Sequence, residues 1–434
     1  MPAHVAIIGA GWSGLAAAVT LAARGIGVTV YEASRSLGGR ARRINLGGNE
    51  LDNGQHILIG AYRDTLGLMR KIGVDPESAL SRLPLELRYA DGFCLRAPRL
   101  PSPLHLILAL ATSKGLDWAE RIAAARLMAA LQAARYHFDT DISVAELLAR
   151  HRQSVRLCNH VWHPLCVSAL NTPAHQASAN AFAAVLRDSL AGPRAHSDML
   201  IPRVDLSALL PEPAATFIEQ HEGRIRLGTP VRRIRQSTEH SGRFRLDDST
   251  DVYSHVIVAT APQHAGALLA GDARLAPVRA IVDALAYQPI VTCYLQYPDD
   301  VRLPSPMLGF TSGMLQWLFD RGRLGGAKGL LAAVISAEGA HQELDQQALA
   351  RQVHEEIAAG AFSGTLPVPL WSRAVTEKRA TFSCTPGLQR PAASTPVPGL
   401  LLTGDYIAGD YPGTLETAVR QGLAAAALIT TNLR

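Results

Sequence analysis

Aromatic side chains make up only 6% of this chain of 434 residues. That is too few for the stacking platforms on which proteins grip single-stranded nucleic acid. Charged residues are also sparse, at 18%, against a hydrophobic share of 48%. Such a balance excludes a disordered chain and supplies a large core. There are five cysteines and no C-x-x-C pair. An odd, unpatterned set excludes a disulfide scaffold and fits a reducing compartment, so a cytoplasmic location is expected. No run reaches the roughly 18 uncharged apolar residues that a membrane-spanning helix needs. Met1-Pro2-Ala3-His4 lacks a basic leader, so no signal peptide is expected. Neither a G-x-S-x-G elbow nor a G-x-x-x-x-G-K-[ST] loop occurs, which leaves hydrolase and P-loop readings without an anchor. Lysine is nearly absent, and arginine carries the net charge of +5. The arginines between 224 and 245 alternate with apolar residues and read as a solvated sheet face, not a nucleic-acid surface. The basic balance remains compatible with contact to the anionic inner face of a membrane.

The length suggests two or three domains. His4 to Ile8 reads as a buried strand, Ser13 to Arg24 as a helix closed by Gly25, and Gly27 to Tyr31 as a second strand. This is a βαβ unit. Residues 60–200 are helical in texture, with Trp118 to Phe138 as the longest expected helix. From Arg224 the period becomes two. Arg224–Leu227, Val231–Ile234 and Arg243–Leu246 predict a meander turning at 228–230 and at Ser241-Gly242. Further strands are expected at 254–260, 290–296, 330–336 and 400–405, and helices at 346–358 and 412–430. The βαβ texture recurs at both ends and near 255. The expected fold is therefore α/β: a Rossmann-like domain (1–69, 200–284 and 391–434) interleaved with a mixed α+β substrate domain (70–199 and 285–390).

Gly9-Ala10-Gly11-Trp12-Ser13-Gly14 is G-x-G-x-x-G between a strand and a helix, with Glu32, followed by Ala33, closing the next strand. Gly9 permits the tight turn, Gly11 the approach of a pyrophosphate, and Gly14 the packing of helix on strand. The helix N-terminus presents amides to phosphate. Glu32 is placed to accept from an adenosine ribose. Gly38-Gly39-Arg40 follows directly, so a second backbone approach and an arginine can face the same pyrophosphate.

This combination resembles the large family of FAD enzymes that contains amine oxidases and carotenoid desaturases. The resemblance implies a non-covalent FAD, because Leu400 to Gly422 holds no cysteine or histidine. It implies that Gly404-Asp405 closes a C-terminal flavin strand, that Thr414 and Leu415 meet the flavin at a helix N-terminus, and that Val231 lies beside adenine. Glu416-Thr417-Ala418 departs from the family's usual Glu-Gly-Ala. Asp52-Asn53-Gly54-Gln55-His56, with Gly60 and Tyr62, looks like the hydroxysqualene dehydroxylase branch, as do Trp162-x-Pro164-Leu165, Ala169 to Pro173 and Leu200 to Ser207. That likeness implies a C30 isoprenoid substrate, reductive loss of a hydroxyl, and upstream squalene-pathway synthases as partners. Gly54, Gln55 and His56 would pass the flavin ring. His56 is the expected proton donor, with Asp52 four residues away on the same strand face to orient it. Carotene desaturase, amine oxidase and a non-enzymatic isoprenoid carrier are the alternatives.

Cys158, His160, His163 and Cys166 match no standard zinc spacing, so no metal is expected, and the segment reads as a substrate-cavity helix. Leu100 to Leu110 is read as a core helix, with an apolar lip dipping into a bilayer as the alternative.

Overall fold

The computed structural model describes residues 3–237, 242–362 and 364–432. Met1, Pro2 and Ser241 of the features discussed above lie outside that set.

Five parallel strands form the first sheet, in the order Arg224–Arg226, Gly27–Tyr31, His4–Ile8, His255–Val258, Leu400–Leu402. Their continuous apolar runs follow from burial on both faces. On one face lie the helices Trp12–Ala22 and Leu415–Asn432, which pack against each other. A Cβ at Gly14 would stand 2.0 Å from the Gly9 carbonyl oxygen, so only glycine lets the first helix sit this close to the strand that precedes it. The chain leaves His4–Ile8 to one side first and returns on the other. The crevice between His4–Ile8 and His255–Val258 is therefore the topological switch point at which such sheets bind ligands.

Arg224–Arg226 corrects the expected meander. Its backbone joins the edge of the parallel sheet in register with Thr29–Tyr31. Residues 231–233 are not strand, and only Ile234–Gln236 and Phe244–Leu246 pair, antiparallel. Alternation alone cannot tell a parallel edge strand from a hairpin arm.

The second sheet is antiparallel, in the order Met307–Gly309, Trp317–Asp320, Leu330–Ser336, Tyr287–Gln296, Trp371–Phe382. Its alternation is clean. Leu331, Ala333 and Ile335 pack beneath the helix Gln346–Ala361, while Val334 and Ser336 face a cavity. A helical layer from Leu104 to Leu190 covers the rest. The long helix in it stops at Ala133, short of the expected Phe138, because Arg135 and Tyr136 take positive φ. Residues 155–170 run helically through Pro164, with a π-helical turn at Cys158–Trp162.

Candidate functional site

The carboxyl ends of four parallel strands open onto one cavity of about 920 Å³, lined there by Gly9, Glu32, Ala259 and Gly404. The two glycine loops are stitched together. Gly38 N donates to the Ala10 carbonyl at 2.9 Å, and Gly11 and Gly38 form a bridge. The Glu32 carboxylate accepts from Ala10 N and from Ser34 N, both at 2.8 Å. It thus holds the first loop and still presents unused lone pairs beside the cavity. Gly9, Gly11, Trp12, Ser13, Ala33, Gly38, Gly39, Arg40 and Val231 also line this end. Ala10 and Gly14 do not reach it: Ala10 is spent on the loop bonds, and Gly14 on packing.

Arg40 also ties the site together. Its Nη2 donates to Asp405 Oδ1 at 2.7 Å and its Nη1 to the Ala380 carbonyl at 2.6 Å. The guanidinium joins the second glycine loop to the last parallel strand and to the antiparallel sheet. Ser13 and Thr403 meet hydroxyl to hydroxyl at 2.7 Å, a second tie between the first helix and that last strand.

The segment Asn53–His56 lines the cavity. It is clamped on every side. Asn53 N donates to the Arg42 carbonyl, Gln55 N to Thr292 Oγ1, and Arg321 Nη1 to Gln55 Oε1. The His56 Nδ1 lies 2.9 Å from the Gly54 carbonyl, which can only accept, so Nδ1 carries the proton and Nε2 is the acceptor of the neutral ring. Burial pushes the His56 pKa below the ordinary histidine value, with Arg40 adding to the effect and the Gly54 carbonyl opposing it. Tyr62, Thr414, Leu415 and Tyr411 close this part of the cavity.

Asp52 is not in the cavity. The expected strand ends at Asp52, so the same-face argument that paired it with His56 does not hold. Its carboxylate accepts from Leu206 N at 2.8 Å, its carbonyl accepts from Tyr294 Oη at 3.0 Å, and no hydrogen bond joins it to His56. Burial raises its pKa to about 6, against the opposing bond from Leu206. Asp52 is a strut. The Leu200–Ser207 motif supplies the other half of the joint: Ser207 Oγ accepts from Arg43 N, and Asp205 caps its short helix while pairing with Arg43. Gly60 has a packing reason as well, since a Cβ there would stand 1.7 Å from the Ala195 carbonyl oxygen.

Beyond His56 the cavity turns apolar. Leu85, Leu87, Phe182, Val185 and Met199 line one side, and Met307, Trp317, Phe319 and Val334 the other. Leu165, Val167, Ser168 and Ala169 bring in the helix read from the Cys158–Cys166 segment. Asn171 ends that helix in the left-handed conformation. Its amide bonds Pro289 and Thr381, and its oxygen accepts from Ala337 N, so one side chain ties the helical wall to the antiparallel sheet. The loop Ala259–Ala261 with Gln263, and the distant Arg321, were not singled out in the sequence. The first is signalled by a third strand ending at the crevice. Arg321 carries no local signal, being 266 residues from its partner Gln55.

The cradle fits FAD. Thr260 Oγ1 and Gln263 Oε1 are buried without hydrogen-bond partners, and both residues line the dinucleotide end, where a nucleotide's polar groups would satisfy them.

The sequence profile of the flavin containing amine oxidoreductases matches residues 12–430. Similar proteins include the hydroxysqualene dehydroxylase of Sinorhizobium fredii, 30% identical over 99% of this chain and 98% of that protein. That of Zymomonas mobilis is 27% identical over 97% and 98%. The 15-cis-phytoene desaturase of Synechococcus elongatus is 24% identical over 98% and 96%. Among solved structures, the cyclohexylamine oxidase of Brevibacterium oxydans superposes with a TM-score of 0.72 at 20% identity, over 100% of both chains. A putative protoporphyrinogen oxidase from Exiguobacterium gives 0.71 at 17%, over 100% of this chain and 99% of that one. The protein is an FAD-dependent oxidoreductase of α/β fold, and the chain belongs to the flavin containing amine oxidoreductase family.

Proposed function

We propose that this enzyme reductively dehydroxylates hydroxysqualene to squalene. The observation that carries the reading is the apolar continuation of the cavity past His56. A C30 isoprenoid offers almost no polar handles and needs such a wall. The position two residues before Glu416, where many amine oxidases carry an aromatic, is Thr414. The names of the full-length relatives support the same reading.

Reduced FAD supplies the hydride when bound. The chain's residues do the rest. We assign cofactor binding to 1–69, 200–284 and 391–434, and the apolar wall to 70–199 and 285–390. The carbon–oxygen bond breaks as a carbon–hydrogen bond forms, and a proton must convert the departing hydroxide to water. His56 is our assignment for that proton. Arg321, Thr292 and Arg42 hold its segment in place, and Asp52 braces the strand behind it. We expect FAD to be held without a covalent bond, because Leu400 to Gly422 holds no cysteine or histidine. Acid precipitation should leave a colourless pellet. The synthases that make the alcohol are the expected upstream partners. Anaerobic incubation of dithionite-reduced enzyme with hydroxysqualene, with mass analysis of the extracted lipid, tests the reaction. Squalene supports it, and an unchanged alcohol or a new double bond rejects it.

A further inference from the structure

A dozen large apolar side chains are strongly exposed among the described residues, and half of them fall between Leu100 and Ile122. Leu100 precedes, and the other five sit on, two consecutive helices, Leu104–Ala111 and Trp118–Ala133. The first helix buries only His105 and Ala109, and turns Leu104, Ile107 and Leu108 outward, with Ile107 58% exposed. This corrects the core reading of that helix. The second turns out Trp118, 67% exposed, and Ile122. Arg121 Nη2 donates to the Ser113 carbonyl, and its guanidinium lies over the Trp118 ring, so the two helices present one surface.

The charges beside this surface are net positive, with Arg99, Lys114, Arg121 and Arg126 against Asp117 and Glu120. Asp117 and Glu120 are engaged in a capping box, and Glu120 also accepts from Ser154. Among the described residues Arg99, Lys114 and Arg126 form no ion pair. A second copy meeting the same face about a twofold axis would set these cations against one another. An anionic lipid surface would complement them. The surface is also joined to the cavity. Helix Leu104–Ala111 packs on strand Cys94–Arg96, which pairs with Glu86–Arg88, and Leu85 and Leu87 of that arm line the apolar end.

We propose that the Leu100–Ile122 face docks on an anionic bilayer, its apolar side chains entering the acyl boundary and its free cations meeting lipid phosphates, and so sets the apolar end of the cavity against the lipid. Among the described residues no helix is long and apolar enough to cross a membrane, so contact is from one side. The role in substrate entry rests on the isoprenoid reading above; the docking does not.

The test is sedimentation of the FAD-loaded enzyme with phosphatidylcholine vesicles, with and without phosphatidylglycerol. The native chain should partition onto the phosphatidylglycerol vesicles. The double substitution Ile107→Ser with Trp118→Ser should lower that partition at least tenfold, and Lys114→Gln with Arg126→Gln should lower it only where the anionic lipid is present. Both variants should keep full FAD content and native turnover of detergent-dispersed substrate. Vesicle binding by a native chain that turns over no isoprenoid alcohol would overturn the functional reading and leave the docking standing. Undiminished partition of the Ile107/Trp118 variant, or a concentration-dependent dimer that those substitutions abolish, would overturn the docking.

Discussion

Arg40 and Asp405 are 365 positions apart in the chain and 2.7 Å apart in space. Their ion pair closes the loop between the first glycine-rich unit and the last strand of the parallel sheet, and both residues line the cavity. Asp405→Ala would leave the guanidinium without its carboxylate and untie the last loop. Bonds of this charged kind contribute about 1.5–3 kcal/mol. A fall in FAD affinity of roughly 10- to 150-fold is expected, read by titrating the apoprotein with FAD. Arg40→Lys, which keeps charge but loses the two-pronged fork, should fall between the two.

Glu32 braces Ala10 and Ser34 with one carboxylate, and we assign to the same carboxylate the contact with the ribose. Glu32→Ala removes both, so FAD affinity should drop by at least about 1.5 kcal/mol. Glu32→Gln keeps one acceptor and should lose less. An alanine variant with native affinity would remove the adenosine assignment.

His56 gives a signed pH dependence. Its lowered pKa leaves it neutral at neutral pH, so the protonated donor is a minority form that grows as pH falls below the ordinary histidine value of about 6.5. Oxidation of the reduced flavin by substrate should therefore quicken as the medium is acidified. His56→Ala should bind FAD, slow that step about 100-fold and flatten the profile. Tyr62 and Tyr411 are also ionisable at this wall, and burial raises the pKa of both, so they stay protonated throughout. A flat native profile with a fast His56→Ala variant would shift the assignment to Tyr62, with Tyr62→Phe then slow.

Asp52 predicts the opposite kind of pH effect, on stability. Its folded pKa is raised to about 6, above its unfolded value, so its cost grows as pH rises past the unfolded value, is complete above the folded one, and disappears as pH falls below the unfolded value. Asp52→Asn retains an acceptor for Leu206 N and removes the buried charge. Thermal unfolding should show a gain of about 1–3 kcal/mol above neutrality, shrinking toward acid pH.

Most of the dinucleotide end was legible because it depends on local backbone. A glycine pattern, a helix N-terminus and a strand-terminal acid stand within about thirty residues, the reach of one βαβ unit. What the sequence hid is long-range. The Arg40–Asp405 pair, the Arg321–Gln55 bond and the Asp52–Leu206 strut each join segments more than 150 residues apart. Asp52 was misplaced for a physical reason: strand alternation was extended four residues past the point where the strand stops. Arg224–Arg226 was misplaced because a parallel edge strand and a hairpin arm share one period. The motifs at Asn171 and Leu200–Ser207 were visible as patterns, but their work, tying the cavity wall and bracing the flavin segment, needs the fold.

The central claim is that reduced FAD in this cavity gives its electron pair to a carbon that loses hydroxide. Anaerobic single turnover tests it most directly, mixing fully reduced enzyme with hydroxysqualene and following flavin absorbance and lipid mass together. The account predicts that each flavin reoxidised yields one squalene, carrying deuterium when the flavin was reduced in heavy water. A flavin that stays reduced before hydroxysqualene but is reoxidised by a carotene-type acceptor or an imine would contradict it.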